Sequence, residues 1–170
     1  MEKAKKGGYD LVIDCTGESS IRGFLSLYRH QVLGDMPIIH SWMEPFGAAS
    51  HVILLHKRDR WPMSDPVDTH VNAASWGSAA RIKLPACGDG FHPYGVADAW
   101  QAAGFVTERA LQTLESSDSP SMVYSWVRSR QYFAEHGAEN SINAWVPEDE
   151  MNCGARMLIR DFPTVMASNE

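Results

Sequence analysis

The stretch Tyr9-Asp10-Leu11-Val12-Ile13-Asp14-Cys15-Thr16-Gly17-Glu18 constrains the fold of this chain more than any other. Leu11-Val12-Ile13 is a short, unbroken apolar run, and Thr16-Gly17 ends it. Such a run reads as a strand buried on both faces, as in a parallel sheet. Ser19 and Ser20 are good helix-capping residues, and Ile21, Phe24, Leu25, Tyr28 and Val32 follow at helical spacing. Gly34-Asp35 stops that helix, and Met36 to Trp42 supplies the next strand. A strand–helix–strand unit has its usual home in an α/β sheet with right-handed crossovers.

The rest of the chain extends that unit. Glu44-Pro45-Phe46-Gly47 is a turn, and His51 to His56 forms a third strand too close behind the second for an intervening helix. The pair is therefore expected to run antiparallel, which makes the sheet mixed. Residues 57–92 have little periodicity and read as a partly ordered crossover segment anchored by Trp61, Val67, Val71, Trp76, Ile82 and Leu84. From Val96 to Leu114 the spacing predicts a helix, with Trp100, Ala103, Val106, Ala110, Leu111 and Leu114 on its apolar face. A turn at Ser116 to Pro120 precedes a second expected helix, Ser121 to His136, stopped by Gly137. Two short apolar pieces, 142–146 and 156–159, complete a fold expected to be α/β: a mixed sheet of about four strands with flanking helices.

Size and charge bound the function. At 170 residues the chain suits one domain, taken here as 1–170. A net charge of −6 argues against nucleic acid or an anionic membrane as partner. Neither a membrane-spanning apolar run nor a signal-peptide pattern is visible, so a cytoplasmic setting is expected. The cysteines, Cys15, Cys87 and Cys153, form no Cys-x-x-Cys pair, which speaks against a zinc knuckle, and no metal site is expected. Cys15 belongs to the first strand and is expected in the core. His40, His51, His56, His70 and His92 lack zincin spacing; histidines on strands usually serve as satisfied polar groups.

Ligands of open α/β sheets bind at the carboxyl edge of the strands. Asp14 is delivered there and can hold a metal ion or a ribose hydroxyl, while Ser19, Ser20 and the helix N-terminus can meet an anion. The bland alternative is an Asp that hydrogen-bonds a neighbouring loop, with Gly17 in a tight turn.

Three segments in this order also resemble a known family: Asp10 to Glu18 with Arg22 in the helix that follows; Pro37 to Gly47 with His51 after it; and Cys87-Gly88-Asp89-Gly90-Phe91-His92-Pro93-Tyr94-Gly95 with Asp98 and an alanine-rich helix. Together they resemble the second half of the ThiF-type, ubiquitin-activating-like fold over roughly residues 9–115. The nearest pattern is the bacterial branch of antiphage and conjugation operons.

The resemblance implies the C-terminal half of a Rossmann-like adenylation domain. It would use ATP and Mg2+ to activate the C-terminus of a ubiquitin-like protein, with transfer to a cysteine as a thioester. Asp14, Thr16 and Glu18 would then serve nucleotide and magnesium, and Cys87 would be the acyl acceptor. Trp42, Glu44 and His92 would line a groove for the substrate's tail. Implied partners are the ubiquitin-like protein, a conjugating-type enzyme and a second copy in a homodimer.

The sequence departs from the pattern at Gly17, where relatives usually carry an acid that helps hold magnesium, and it lacks the family's zinc-binding cysteine pairs. The glycine-rich phosphate loop cannot be placed in the eight residues before Tyr9, so the chain reads as the back half of a longer or split protein. Two other readings remain at this point: an inactive docking or dimerisation module, and the C-terminal part of a nicotinamide-dependent dehydrogenase.

Overall fold

The structure, a computed structural model, describes residues 8–34, 36–56, 59, 66–83, 90–116, 119–139, 142–148 and 155–162. Its elements in chain order are β1 (Val12–Asp14), α1 (Ser19–Tyr28), β2 (Ile38–Met43), β3 (Ala49–Leu55), α2 (Pro66–Val71), β4 (Ser75–Trp76), β5 (Ile82–Lys83) and β6 (Gly90–Phe91). They continue with α3 (Val96–Glu115), β7 (Met122–Arg128), α4 (Arg130–Glu135), β8 (Ala138–Glu139) and β9 (Ala155–Asp161).

The main sheet has five strands in the order β1-β2-β3-β7-β9. β1 lies parallel to β2, with Asp14 opposite His40; β2, β3, β7 and β9 then pair antiparallel in turn. Two small ribbons, β4 with β8 and β5 with β6, stand apart from it. The protein is thus α/β, with a mixed sheet and flanking helices, as the strand–helix–strand opening implied.

Each face of the sheet has its own core. On one face Ile39, Val52 and Leu54 pack with Phe105 and Ala110 of α3. On the other, Ile53, Leu55 and Val123 meet Val71 of α2 and Phe162, and a second cluster joins Ala49, Ala73, Val127, Phe133 and Val146. Each fully buried aliphatic or aromatic side chain here contributes roughly 1.5–3 kcal/mol. All seven residues of β3 are buried, as a central strand covered on both faces requires.

Four expectations from the sequence need correction. The second helix expected over 121–136 is strand β7 followed by the short α4. Val123, Ser125 and Val127 are buried on one face, while their neighbours are half-buried on the other. Met122, Val123, Trp126 and Val127 satisfy helical spacing equally well, but pairing on both sides, with β3 and with β9, decides for a strand.

β1 is not buried on both faces: Ile13 is 45% exposed, because β1 forms an edge of the sheet. α1 turns Ile21, Phe24 and Tyr28 outward and buries Arg22 instead. Just beyond its end, Arg29 is buried in a five-residue π-turn, Arg29–Leu33. Its guanidinium donates to the carbonyls of Met36, Leu55 and Asp59 and so ties the helix end to β2 and β3. α3 likewise buries Phe105, Arg109, Ala110 and Thr113 and leaves Trp100, Leu111 and Leu114 outside.

The β2–β3 connection is the most constrained turn. Phe46 and Gly47 both take left-handed backbone angles, with φ of 59° and 60°. A β-carbon on Gly47 would sit 2.4 Å from Cγ of Asp98. That carboxylate is fixed, since it accepts from the Gly95 N–H at the start of α3 and pairs with Arg128. Gly47→Ala is therefore expected to cost about 1–3 kcal/mol through strain and overpacking, read as a fall in denaturation midpoint. A midpoint unchanged from wild type would contradict this packing.

Candidate functional site

β1 stops at Asp14 opposite His40 while parallel β2 continues to Met43, and their carboxyl ends and the turn into α1 open onto one cleft of about 610 Å3. Its inner wall carries Thr16, Gly17, Glu18 and Arg22. Trp42 and Glu44 come from β2 and the residue just after it. The crossover segment supplies Asp68, Asn72 and Trp76 opposite, and Arg81, His92 and Tyr94 complete the rim.

Asp14 stands just behind this cleft. Oδ1 accepts from the Thr16 N–H at 3.0 Å and the Thr16 hydroxyl at 2.7 Å, and Oδ2 accepts from His40 Nδ1 at 2.8 Å. Burial alone would push its carboxyl upward. The hydrogen bonds from His40 and Thr16, together with the charge of His40, outweigh burial and hold it down at about 2. Gly17 follows with a left-handed φ of 71°, a geometry glycine adopts without strain and an acidic residue in its place would not. Arg22 then reaches back to the Gly17 carbonyl, pairs with Asp68 and lies over the Trp42 ring at 4.7 Å. Trp42 in turn donates from Nε1 to Asn72 at 3.1 Å. Helix, strand end and crossover segment are thereby joined around the opening.

The opposite wall depends on a buried polar row that crosses the sheet. Glu44 Oε1 accepts from His51 Nε2 at 2.7 Å and from the Ala73 N–H, and Oε2 accepts from Trp76 Nε1 at 3.0 Å. His51 then carries its proton on Nε2, so Nδ1 accepts from the Ser125 hydroxyl at 2.8 Å, and Ser125 Oγ accepts from Arg160 at 2.6 Å. Burial lowers Arg160 to about 10, partly offset by the charge of Glu44, and its guanidinium lies 3.8 Å from the Trp145 ring centre. Ser125, His51 and Glu44 have the spacing of a nucleophile–base–acid triad. Ser125 is 0% exposed, however, so no substrate reaches it, and the row is structural.

The structure brings Thr16, Glu18, Trp42, Glu44 and His92 to one cleft, with Asp14 immediately behind. Cys87 and Cys153 lie outside the described residues. Cys15, expected in the core, is exposed on the cleft wall because it follows the last residue of β1. Partial burial raises its thiol and the Asp14 charge raises it further, which opposes thiolate formation. His92 donates from Nδ1 to the Ala80 carbonyl at 3.1 Å, tying the rim to the crossover segment.

Both Asp14 oxygens are committed, and among the described residues no three His, Cys, Asp or Glu side chains are grouped to hold a metal. Among the described residues no helix is long and apolar enough to cross a membrane. No family model matches the chain, and no curated protein matches it.

Sequence reasoning named Glu44 and His51 but missed the partners that fix them. The signal for Ser125 was a period of two, Val123-Ser125-Val127, inside the segment read as a helix. Trp76 was expected only as a packing residue of the crossover segment, and Asp68, Asn72 and Arg81 gave no signal because that segment lacks periodicity.

Two outcomes follow from this geometry. Asp14 contributes stability that is complete above its unfolded value of about 3.8 and is lost as pH falls toward about 2. Wild type should therefore lose stability between pH 4 and 2 more steeply than Asp14→Asn, measured by denaturant midpoints; parallel profiles would contradict it. Glu44→Gln places an amide donor against donors already aimed at that site and is expected to cost about 2–4 kcal/mol. A midpoint matching wild type would show that the buried row is not formed.

Proposed function

We propose that this chain supplies the tail-receiving half of an ATP-dependent activating enzyme of the ThiF type. In this reading the cleft holds the extended C-terminus of a ubiquitin-like protein while its carboxylate is activated. The observation that supports it is a cleft at the carboxyl ends of the parallel pair, whose lining includes Thr16, Glu18, Trp42, Glu44 and His92. These are five of the seven residues the family resemblance marks, and they come from segments far apart in the chain.

The cleft suits an extended tail. Trp42, Trp76 and Tyr94 offer flat aromatic walls, and Gly17 adds no side chain to the lining. Strands and a pinned crossover segment hold these walls, so little ordering is required on binding.

In the proposed reaction a tail carboxylate oxygen attacks the α-phosphorus of ATP, the bond to the bridging oxygen breaks and pyrophosphate leaves. The product is an acyl-adenylate, a mixed anhydride. The Cys87 thiolate then attacks the acyl carbon, a thioester forms and AMP departs. The phosphate-binding loop and the principal magnesium ligation belong, in this reading, to another segment of the complete enzyme, consistent with the committed state of Asp14. A conjugating-type enzyme would take the thioester onward, in the cytoplasm.

Because Trp42 and Trp76 line the cleft, tail binding is expected to change intrinsic fluorescence. A hexapeptide ending in Gly-Gly with a free carboxylate should give a saturable change, and its C-terminal amide should bind at least several-fold more weakly. Equal binding of acid and amide, or no saturable change with either, would overturn the reading. A reducible adduct with an activated ubiquitin-like protein, lost in Cys87→Ala, is the further outcome expected of the complete enzyme.

A further inference from the structure

The peptide unit that joins Asn72 to Ala73 is held from two opposite sides. Its N–H donates to Glu44 Oε1, and its carbonyl accepts from Nδ2 of Asn143. A trans peptide is planar and points these two groups in opposite directions, so the unit cannot rotate without breaking both bonds. Glu44 lines the cleft and Asn143 does not.

Asn143 makes two further bonds to the same stretch. Nδ2 also donates to the Thr69 carbonyl at 3.1 Å, and the backbone N–H donates to the Ala73 carbonyl at 2.8 Å. These carbonyls lie at and just beyond the C-terminal end of α2, where a helix leaves acceptors without intrahelical partners. A residue distant in sequence thus caps this helix.

The capped end carries the cleft's aromatic walls. Asn72 Oδ1 accepts from the Trp42 indole at 3.1 Å, and Trp76 donates to Glu44 Oε2 at 3.0 Å. Donation into a peptide carbonyl also strengthens the N–H of the same unit as a donor, because linked hydrogen bonds polarise one another. Removing the Asn143 amide therefore weakens the grip of Glu44 on Ala73 as well as its own grip on Asn72.

Asn143 is itself placed by α4. Arg130, the first residue of that helix, donates from Nη2 to the Asn143 carbonyl at 2.8 Å and from Nε to the Val146 carbonyl at 3.1 Å. Its backbone N–H donates to the Pro147 carbonyl at 3.0 Å, and the Val146 N–H closes the turn on the Asn143 carbonyl at 3.0 Å. Hydrogen bonds thus run without a break from α4, through the 143–147 turn and the end of α2, to the cleft wall.

We infer that Asn143 is a positioning residue of the cleft. Acting through the Asn72–Ala73 peptide unit, it sets the placement of Trp42 and Trp76 and with it the affinity for a ligand, so the 143–147 turn controls the site from outside it. The affinity readout rests on the tail-binding reading proposed above; the positioning does not.

Hydrogen exchange at the Ala73 N–H and the Trp42 and Trp76 indole N–H groups, followed by NMR in the ligand-free protein, tests the positioning. Asn143→Asp keeps the size and removes the donor, and Asn143→Ala removes the side-chain contacts altogether. Each should speed exchange at all three groups at least about tenfold relative to the β3 amides, as expected for loss of one hydrogen bond. Val123→Ala, a truncation of the core between β3 and Phe162, is the control for lost stability. It should lower the denaturation midpoint and leave those ratios unchanged. Affinity for the hexapeptide ending in Gly-Gly should fall at least about threefold in both Asn143 variants and hold in Val123→Ala. Unchanged exchange ratios in both Asn143 variants, or unchanged peptide affinity despite faster exchange, would overturn the inference. A wild type that binds no peptide would overturn the tail-binding reading instead, and the exchange ratios would still decide the positioning.

Discussion

Glu44 is the group on which the rest of this structure turns. A carboxylate this buried is costly unless donors meet both of its oxygens, and the chain supplies three donors from two places. His51 comes from the neighbouring strand, and the Ala73 N–H and the Trp76 indole come from the crossover segment. Satisfying one charge therefore fixes where the crossover segment lies against the sheet. Ser125 and Arg160 extend the constraint to the far strands, so the row reaches from the end of β2 to β9.

The cleft is a consequence of that arrangement. Its inner wall forms because β1 stops at Asp14 beside the longer parallel β2 and the chain turns at Gly17 into α1; its outer wall forms because Glu44 holds the 72–76 segment in place. Arg22 closes the circuit through Trp42 and Asp68. A binding surface made this way is built before its ligand arrives, which is what an extended and otherwise disordered tail requires of its receptor. The proposed activating role rests on this preformed geometry together with the residue types in the wall.

Much of the architecture was legible in the sequence because local signals agreed with tertiary ones. The apolar run at 11–13, the turn at Gly47 and the long helix opening at Val96 each follow from residue chemistry within a few positions, whereas α1 has Glu18 at its cap position and Ser19 and Ser20 inside it. β7 was not legible. Its apolar residues suit two periods, and the deciding interaction, pairing with β3 and β9, involves residues some 30 to 70 positions away in the chain. The faces of α1 and α3 were misread for a different reason: Arg22, Arg29 and Arg109 are buried, and a count of apolar positions places no arginine inside. For the cleft, the strand ends pointed to Asp14 and the start of α1, and the family resemblance pointed to Thr16, Glu18, Trp42, Glu44 and His92. The crossover residues opposite could not be identified, since only the fold brings them there.

The account stands on the claim that Glu44 pins the crossover segment to the sheet and so keeps the cleft formed without ligand. Amide hydrogen exchange at Ala73 measures this directly. Its N–H lies outside any strand or helix, so apart from its bond to Glu44 nothing in regular secondary structure would slow it. The account predicts protection at Ala73 comparable to that of the β3 amides in the ligand-free protein. Exchange at the rate of an open loop would contradict it.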